Sequence, residues 1–276
     1  MRILFVADVF ARPGRRAAAQ FIPKLIAERD VEFCIVNGEN AAGGFGLTRN
    51  LASKIHSYGA DVITSGNHIW HRHDLQPIMS SSERLLRPFN YPPGAIGSGS
   101  TVVESRKGVA VAVLNLQGRT FMPSIDCPFR TGRDEAERLK KQTPILFVDF
   151  HAEATAEKIA MGWHLDGIAS AVIGTHTHVQ TADERILPGG TAYLTDAGMT
   201  GPRDSVIGTK SDIAIERFLK SVPIRFTPAD GPAQFCGVIL DVDEATGHAE
   251  SIERLQLIAS DGGGDEADDN LGEGAG

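Results

Sequence analysis

Residues 2–8, RILFVAD, decide how the chain is read: a compact apolar run that stops at a carboxylate, Asp8. The theme returns twice. Residues 33–40, FCIVNGEN, run into Asn37-Gly38-Glu39-Asn40, and residues 62–68, VITSGNH, run into Ser65-Gly66-Asn67-His68. Apolar runs this short, bounded by turn residues, fit strands buried on both faces of a parallel sheet. Between the first two, Ala18, Phe21, Ile22, Leu25 and Ile26 recur at helical spacing. Pro13 suits the first turn of that helix, where its missing N–H costs nothing. Thr48 is placed to cap a second helix that buries Leu51, Ala52 and Ile55. Strand, helix, strand at intervals of about thirty residues predicts right-handed βαβ units. Asp8, Glu39 and Asn67 then share the carboxyl edge of the sheet, where open α/β sheets bind ligands.

Further strands are expected at 109–115, 145–149, 171–173, 192–195, 235–242 and near 251–257, with helices over 133–141 and 153–163. The last of these strands lack long helices between them, which predicts a mixed or antiparallel continuation. From about Ser260 glycine and aspartate accumulate and apolar residues vanish. One domain over residues 1–258 is therefore expected, followed by an acidic, Gly-rich disordered tail at 259–276.

Composition narrows the function classes. A chain of 276 residues with 42% hydrophobic and 22% charged residues is expected to fold as a globule. Its net charge of -8 argues against an extended nucleic-acid surface, which needs clustered Lys and Arg. A small anionic substrate remains compatible if metal ions bring the positive charge. No leader precedes the first strand and no apolar run approaches the ~20 residues that span a bilayer, so neither secretion nor a membrane is expected. Cys34, Cys127 and Cys236 are odd in number and widely spaced, which fits a reducing cytoplasm rather than a disulfide framework. Homo-oligomerisation stays open.

The polar residues at strand ends, taken in order, are Asp8, Glu39-Asn40, Asn67-His68, His151 and His176-Thr177-His178. Each alone has a plainer reading as a cap, a turn or a half-buried strand. Brought to one edge, they read as a metal site. Carboxylate, amide and imidazole together suit iron, manganese, zinc or cobalt. The supply exceeds one tetrahedral ion, whereas two ions sharing Glu39 as a bridge use it fully. His176 and His178, two apart on an extended backbone, are expected to project from one side. His71 and His73 are placed on the rim, and His56, His164 and His248 in structural or surface positions. Gly43-Gly44-Phe45-Gly46 reads as a turn near the site mouth, and Arg12 and Arg15 as solvated. Asp196 reads equally as a support for a ligand histidine and as a turn cap.

This series resembles the calcineurin-like metallophosphoesterase superfamily, whose pattern runs Asp-x-His, Gly-Asp, Gly-Asn-His, a lone His and Gly-His-x-His. Here it stands as Asp8-Val9-Phe10, Gly38-Glu39-Asn40, Gly66-Asn67-His68, His151 and Gly174-Thr175-His176-Thr177-His178. Within it, the chain resembles the YmdB-like bacterial phosphodiesterases in its opening residues, in residues 37–41 and in Thr195-Asp196-Ala197-Gly198-Met199-Thr200-Gly201. Phe10 and Glu39 depart from the broad pattern but look like that branch. They leave one ion short of a nitrogen ligand, and Asn40 is either a substitute ligand or an outer hydrogen-bond donor.

The resemblance implies a metallophosphoesterase-type α/β/β/α sandwich, with two mixed sheets flanked by helices. It implies two divalent or mixed-valence metal ions, iron or manganese ahead of zinc or cobalt. The implied ligands are Asp8, Glu39, Asn40, Asn67, His151, His176 and His178. The implied activity is hydrolysis of a small phosphodiester, a 2′,3′-cyclic nucleotide, by a metal-bridging hydroxide with His68 as general acid. Two other readings stay open: a phosphomonoesterase, because the same cluster serves monoesters, and a metal-stabilised regulatory module whose hydrolysis is incidental.

Overall fold

The three apolar runs become neighbouring strands in a computed structural model that describes residues 1–259. β1 (Arg2–Val6) leads through α1 (Ala11–Glu28) to β2 (Phe33–Asn37), and α2 (Arg49–Ser57) leads on to β3 (Val62–Thr64). β1, β2 and β3 pair in parallel. Pro13 lies in the first turn of α1, and the Thr48 hydroxyl accepts the Leu51 N–H at 3.3 Å to cap α2. Two short 3-10 turns then carry His71 and His73, followed by the one-turn helix α3 (Gln76–Met79).

The strands and helices expected between residues 109 and 173 form a second βα series. After β4 (Ser100–Glu104) and β5 (Ala110–Gln117), α4 (Pro128–Leu139) connects to β6 (Leu146–His151) and α5 (Thr155–His164) connects to β7 (Ala171–Thr175). β5, β6 and β7 are parallel. Two short strands follow, β8 (Arg185–Ile186) and β9 (Ala192–Leu194), then β10 (Gly201–Pro202) and α6 (Ser211–Lys220). The hairpin β11 (Ala233–Val242) and β12 (Ala249–Ile258) ends the described chain. The helix α6 and the strands β4, β8 and β10 are absent from the sequence reading.

The strands form two six-stranded sheets. One runs β10-β11-β1-β2-β3 with β12 beside β11, and the other runs β4-β5-β6-β7-β9-β8. Both are mixed, because β11 lies antiparallel to β1 and β4 antiparallel to β5. Alternate residues sort into layers, as the pleat requires. Ile3, Phe5, Phe33 and Ile35 of the first sheet meet Val111, Val113, Phe147 and Ile173 of the second in a buried cluster, with the Phe5 and Phe147 rings 5.0 Å apart. On the outer face of the first sheet, Leu4, Val6, Cys34 and Val36 pack against Ala18, Phe21 and Ile22 of α1. On the outer face of the second, Leu114, Val148 and Phe150 pack against Ala136 and Leu139 of α4 and Met161 of α5. Helix, sheet, sheet, helix is the expected sandwich. It brings the carboxyl ends of β1, β2 and β3 beside those of β5, β6 and β7.

Among the described residues no helix is long and apolar enough to cross a membrane. The acidic stretch expected from residue 259 lies outside the described residues except for Ala259, whose N–H still donates to Ala233 O at 2.8 Å.

Candidate metal centre

Asp8 and Glu39 sit two residues beyond β1 and β2, Asn67 three beyond β3, and His151 ends β6. His176 follows β7 directly. Asp8, Glu39, Asn40 and His151 are buried, and Asn67, His68, His176 and His178 are half-buried. The structure brings all of them to one edge. His151 Nε2 lies 2.9 Å from Glu39 Oε1, 3.1 Å from Asn67 Oδ1 and 3.0 Å from His176 Nδ1. Beside this group, His178 Nε2 lies 3.3 Å from Asp8 Oδ2 and 3.1 Å from Asn40 Nδ2, which itself reaches Glu39 Oε1 at 3.4 Å. Glu39 therefore stands between two clusters.

The outer partners of the imidazoles identify which nitrogens are bare. Thr175 Oγ1 donates to Asp149 Oδ1 at 2.7 Å, so its oxygen accepts from His151 Nδ1 at 2.9 Å. Glu153 Oε2 accepts from His176 Nε2 at 3.1 Å, and the Ile207 carbonyl accepts from His178 Nδ1 at 2.9 Å. His151 Nε2 and His176 Nδ1, both left with lone pairs, then face each other and two oxygens, Glu39 Oε1 and Asn67 Oδ1. With His151 neutral, four lone-pair atoms converge and repel one another, and a proton on His151 Nε2 or a bound cation relieves that repulsion. Two oxygens of the second cluster, Asp8 Oδ1 and Asn40 Oδ1, are buried without any hydrogen-bond partner. A buried acceptor in that condition is costly, and a cation removes the cost.

Electrostatics point the same way. Burial opposes charge on Glu39, but His151 and the His68 peptide N–H, donated to Glu39 Oε2 at 3.0 Å, bring its carboxyl below the ordinary range. Burial likewise opposes charge on His151, yet Glu39 and Asp8 raise it above the ordinary histidine range. Burial and the neighbouring His151 push His176 down to about 3. The pocket selects positive charge.

Local backbone explains why these residue types are needed. A Cβ on Gly66 would lie 2.2 Å from the His151 ring, so the glycine before Asn67 lets the imidazole reach the cluster. A Cβ on Gly14 would lie 2.1 Å from Thr200 O, which seats α1 against the loop beyond β9. The extended backbone expected at His176-Thr177-His178 is a correction. His176 has φ 100° and His178 φ 64°, so the two rings reach their separate clusters by left-handed turns, not by pleat alternation. Such conformations cost about 1–3 kcal/mol each and persist only where neighbours over-determine them. Phe10, where the broad pattern has histidine, is buried edge-on to the His178 ring at 5.6 Å.

A family model described as YmdB-like protein matches residues 4–255. The chain belongs to the YmdB-like family. It is 49% identical over 257 residues to a 2′,3′-cyclic-nucleotide 2′-phosphodiesterase of Bacillus subtilis, covering 93% of this chain and 97% of that one. A protein of Thermus thermophilus superposes with a TM-score of 0.88 at 39% identity, covering 94% of this chain and all 100% of its own. A phosphatase of Mycoplasma pneumoniae superposes with a TM-score of 0.87 at 33% identity, covering 94% of this chain and 93% of that one. The YmdB-like chain is a phosphoric ester hydrolase with the metallophosphoesterase sandwich.

Residues the sequence reading missed hold this YmdB-like site in shape. Asp149 Oδ2 accepts from Asn37 Nδ2 at 3.0 Å and from the Thr64 hydroxyl, tying β2, β3 and β6 together behind the candidate ligands. Asp196, weighed as a support for a ligand histidine or as a turn cap, bonds no histidine and caps the turns instead: it accepts Thr177 N–H at 3.1 Å and Gly198 N–H at 2.8 Å. It acts on the backbone between the two histidines, not on a ring. Its Oδ2 is also 2.6 Å from Lys158 Nζ, and both side chains are 1% exposed. Lys158 shares the buried face of α5 with Met161 and Gly162, a spacing that signals an inward lysine. Lys158→Met leaves a buried carboxylate without its ammonium. It is expected to lower the unfolding free energy by about 3–5 kcal/mol in a urea titration.

Proposed function

We propose that this chain is a dinuclear-metal-dependent phosphodiesterase acting on small diesters of the 2′,3′-cyclic nucleotide class. The convergence of lone-pair atoms on both sides of Glu39 carries the reading. One cation is assigned to Asp8, Glu39, Asn40 and His178; Asn40 meets Glu39 and His178 through Nδ2, so ligation would turn its unpartnered Oδ1 inward. The other is assigned to Glu39, Asn67, His151 and His176. The mixed oxygen and nitrogen donors suit iron, manganese, zinc and cobalt alike, and the family resemblance puts iron or manganese first. When bound, two such cations neutralise phosphate oxygens and lower the pKa of a water molecule until it becomes a nucleophile.

The protein groups do the rest. Thr175 and Glu153 keep the bare nitrogens of His151 and His176 turned inward, and Ile207 O does so for His178. His68, beside Asn67, is assigned the proton transfer to the leaving oxygen. Its Nδ1 is buried without a partner, and Phe45 and His71 fix its ring from 5.1 and 4.8 Å.

Thr175→Val keeps the shape of the side chain but removes the oxygen that accepts from His151 Nδ1. Metal affinity of the cluster is expected to weaken about 10–100-fold in chelator competition, with Thr175→Ser close to the parent. The activity itself is tested with the metal-loaded protein on a nucleoside 2′,3′-cyclic phosphate and on a phosphomonoester. Faster turnover of the cyclic diester is the expected outcome. A preference for the monoester would favour a phosphomonoesterase, and no turnover of either with iron, manganese, zinc or cobalt would sink the enzymatic reading.

A further inference from the structure

Around the centre, buried polar atoms without partners are of two kinds. Asp8 Oδ1 and Asn40 Oδ1 accept, and a cation answers them. Gln117 Nε2 donates, and no cation can answer it. Gln117 is the last residue of β5 and the direct neighbour of His151 across the parallel pairing with β6, so its side chain leaves the sheet on the same side as that imidazole. It is fully buried.

The surroundings hold this amide firmly. Asn90 clamps the Gln117 backbone from both sides, accepting its N–H at 2.9 Å and donating to its carbonyl at 2.8 Å. The Tyr91 hydroxyl donates to Gln117 Oε1 at 3.2 Å. Trp70, two residues past His68, stands edge-on to Tyr91 with ring centroids 5.2 Å apart. Its indole N–H lies toward the Tyr91 oxygen without completing a full hydrogen bond. The bond from Tyr91 makes Oε1 the accepting end of the amide and leaves Nε2 as its free end. A shielded donor without an acceptor is costly, and a ligand supplying the acceptor would recover that cost.

We infer that the Trp70–Tyr91–Gln117 corner receives the nucleoside end of the substrate, with the Gln117 amide donating to an acceptor on the base. The inference rests on the phosphodiesterase reading above and adds the specificity-determining residue. Three features favour a base over the other parts of such a substrate. The phosphate is engaged at the metal centre. The free group of the corner donates only, and every nucleobase offers carbonyl or ring-nitrogen acceptors. The half-buried rings of Trp70 and Tyr91 suit a flat heteroaromatic neighbour.

Calorimetric titration of the metal-loaded protein with adenosine 3′-monophosphate and with inorganic phosphate tests this without needing turnover. In the parent chain the nucleotide is expected to bind at least tenfold tighter than phosphate. In Gln117→Leu that ratio is expected to fall by about tenfold, the loss of one hydrogen bond. Gln117→Met gives the same reading should the leucine variant not fold. Equal affinity of nucleotide and phosphate in the parent, binding of neither, or an unchanged ratio in the variant would overturn the inference. Failure of the phosphodiesterase reading shows separately, as no hydrolysis of a cyclic nucleotide by a protein that still tells nucleotide from phosphate.

Discussion

Glu39→Ala is expected to reduce bound metal from about two equivalents to less than one and to lower turnover by roughly 10³-fold or more. Glu39 contacts both clusters: Oε1 faces His151 and Asn40, while Oε2 holds the His68 peptide N–H. Losing any other ligand weakens one corner. On the proposed reading, losing Glu39 would remove the shared negative charge that would offset two cations, and each several kcal/mol of lost transition-state stabilisation costs orders of magnitude in rate. The variant also leaves His151 buried without the carboxylate that most favours its charge. Plasma mass spectrometry of the purified proteins reads the stoichiometry directly, alongside turnover of a cyclic nucleotide. Two equivalents retained in the variant would refute the bridging assignment. Lower pH is expected to release metal from the parent as well, because protons compete for the same lone pairs on the histidines.

How far the residues announced this depends on whether the information is local. Asp8, Glu39 and Asn67 could be read because each follows an apolar run of strand length, and the rule that ligands gather at the carboxyl ends of parallel strands does the rest. The sandwich came with the family resemblance. The residues themselves spelled out the β1–α1–β2–α2–β3 half, where apolar positions keep a helical or strand period. α6 went unread for a physical reason: of its ten residues only Ala214 is buried, and Ile215, Phe218 and Leu219 face outward, so no stripe marks a core face. The left-handed φ of His176 and His178 is imposed by Asp8, Asp196 and Ile207, partners distant along the chain, and no residue pattern near them encodes it. Asp149 was within reach. Aspartate and histidine two apart on one strand face the same way, which places a carboxylate behind His151. Glu153 and Gln117 depend on pairings across loops and strands, and only the folded chain supplies those.

His68→Ala separates catalysis from metal binding, and the leaving group makes the separation measurable. The peptide N–H of residue 68, which holds Glu39 Oε2, survives the substitution, so metal content is expected to remain near the parent value. The imidazole does not survive. For a 2′,3′-cyclic nucleotide the leaving group is a ribose alkoxide, a strong base that needs a proton as its bond to phosphorus breaks. kcat is expected to fall about 10²–10⁴-fold. For bis(p-nitrophenyl) phosphate the leaving phenolate is stable without a proton, and the fall is expected to be about tenfold or less. An equal loss on both substrates, carried by KM, would instead assign His68 to holding the phosphate. The pH profile supplies an independent sign. Burial pulls His68 below the ordinary histidine range, and although Glu39 pulls it back up, His71 and His151 add to the lowering. A general acid works in its protonated form, so the rate on cyclic nucleotides should decline as pH rises through that lowered value. In His68→Ala the decline should vanish, because the group that titrates is gone.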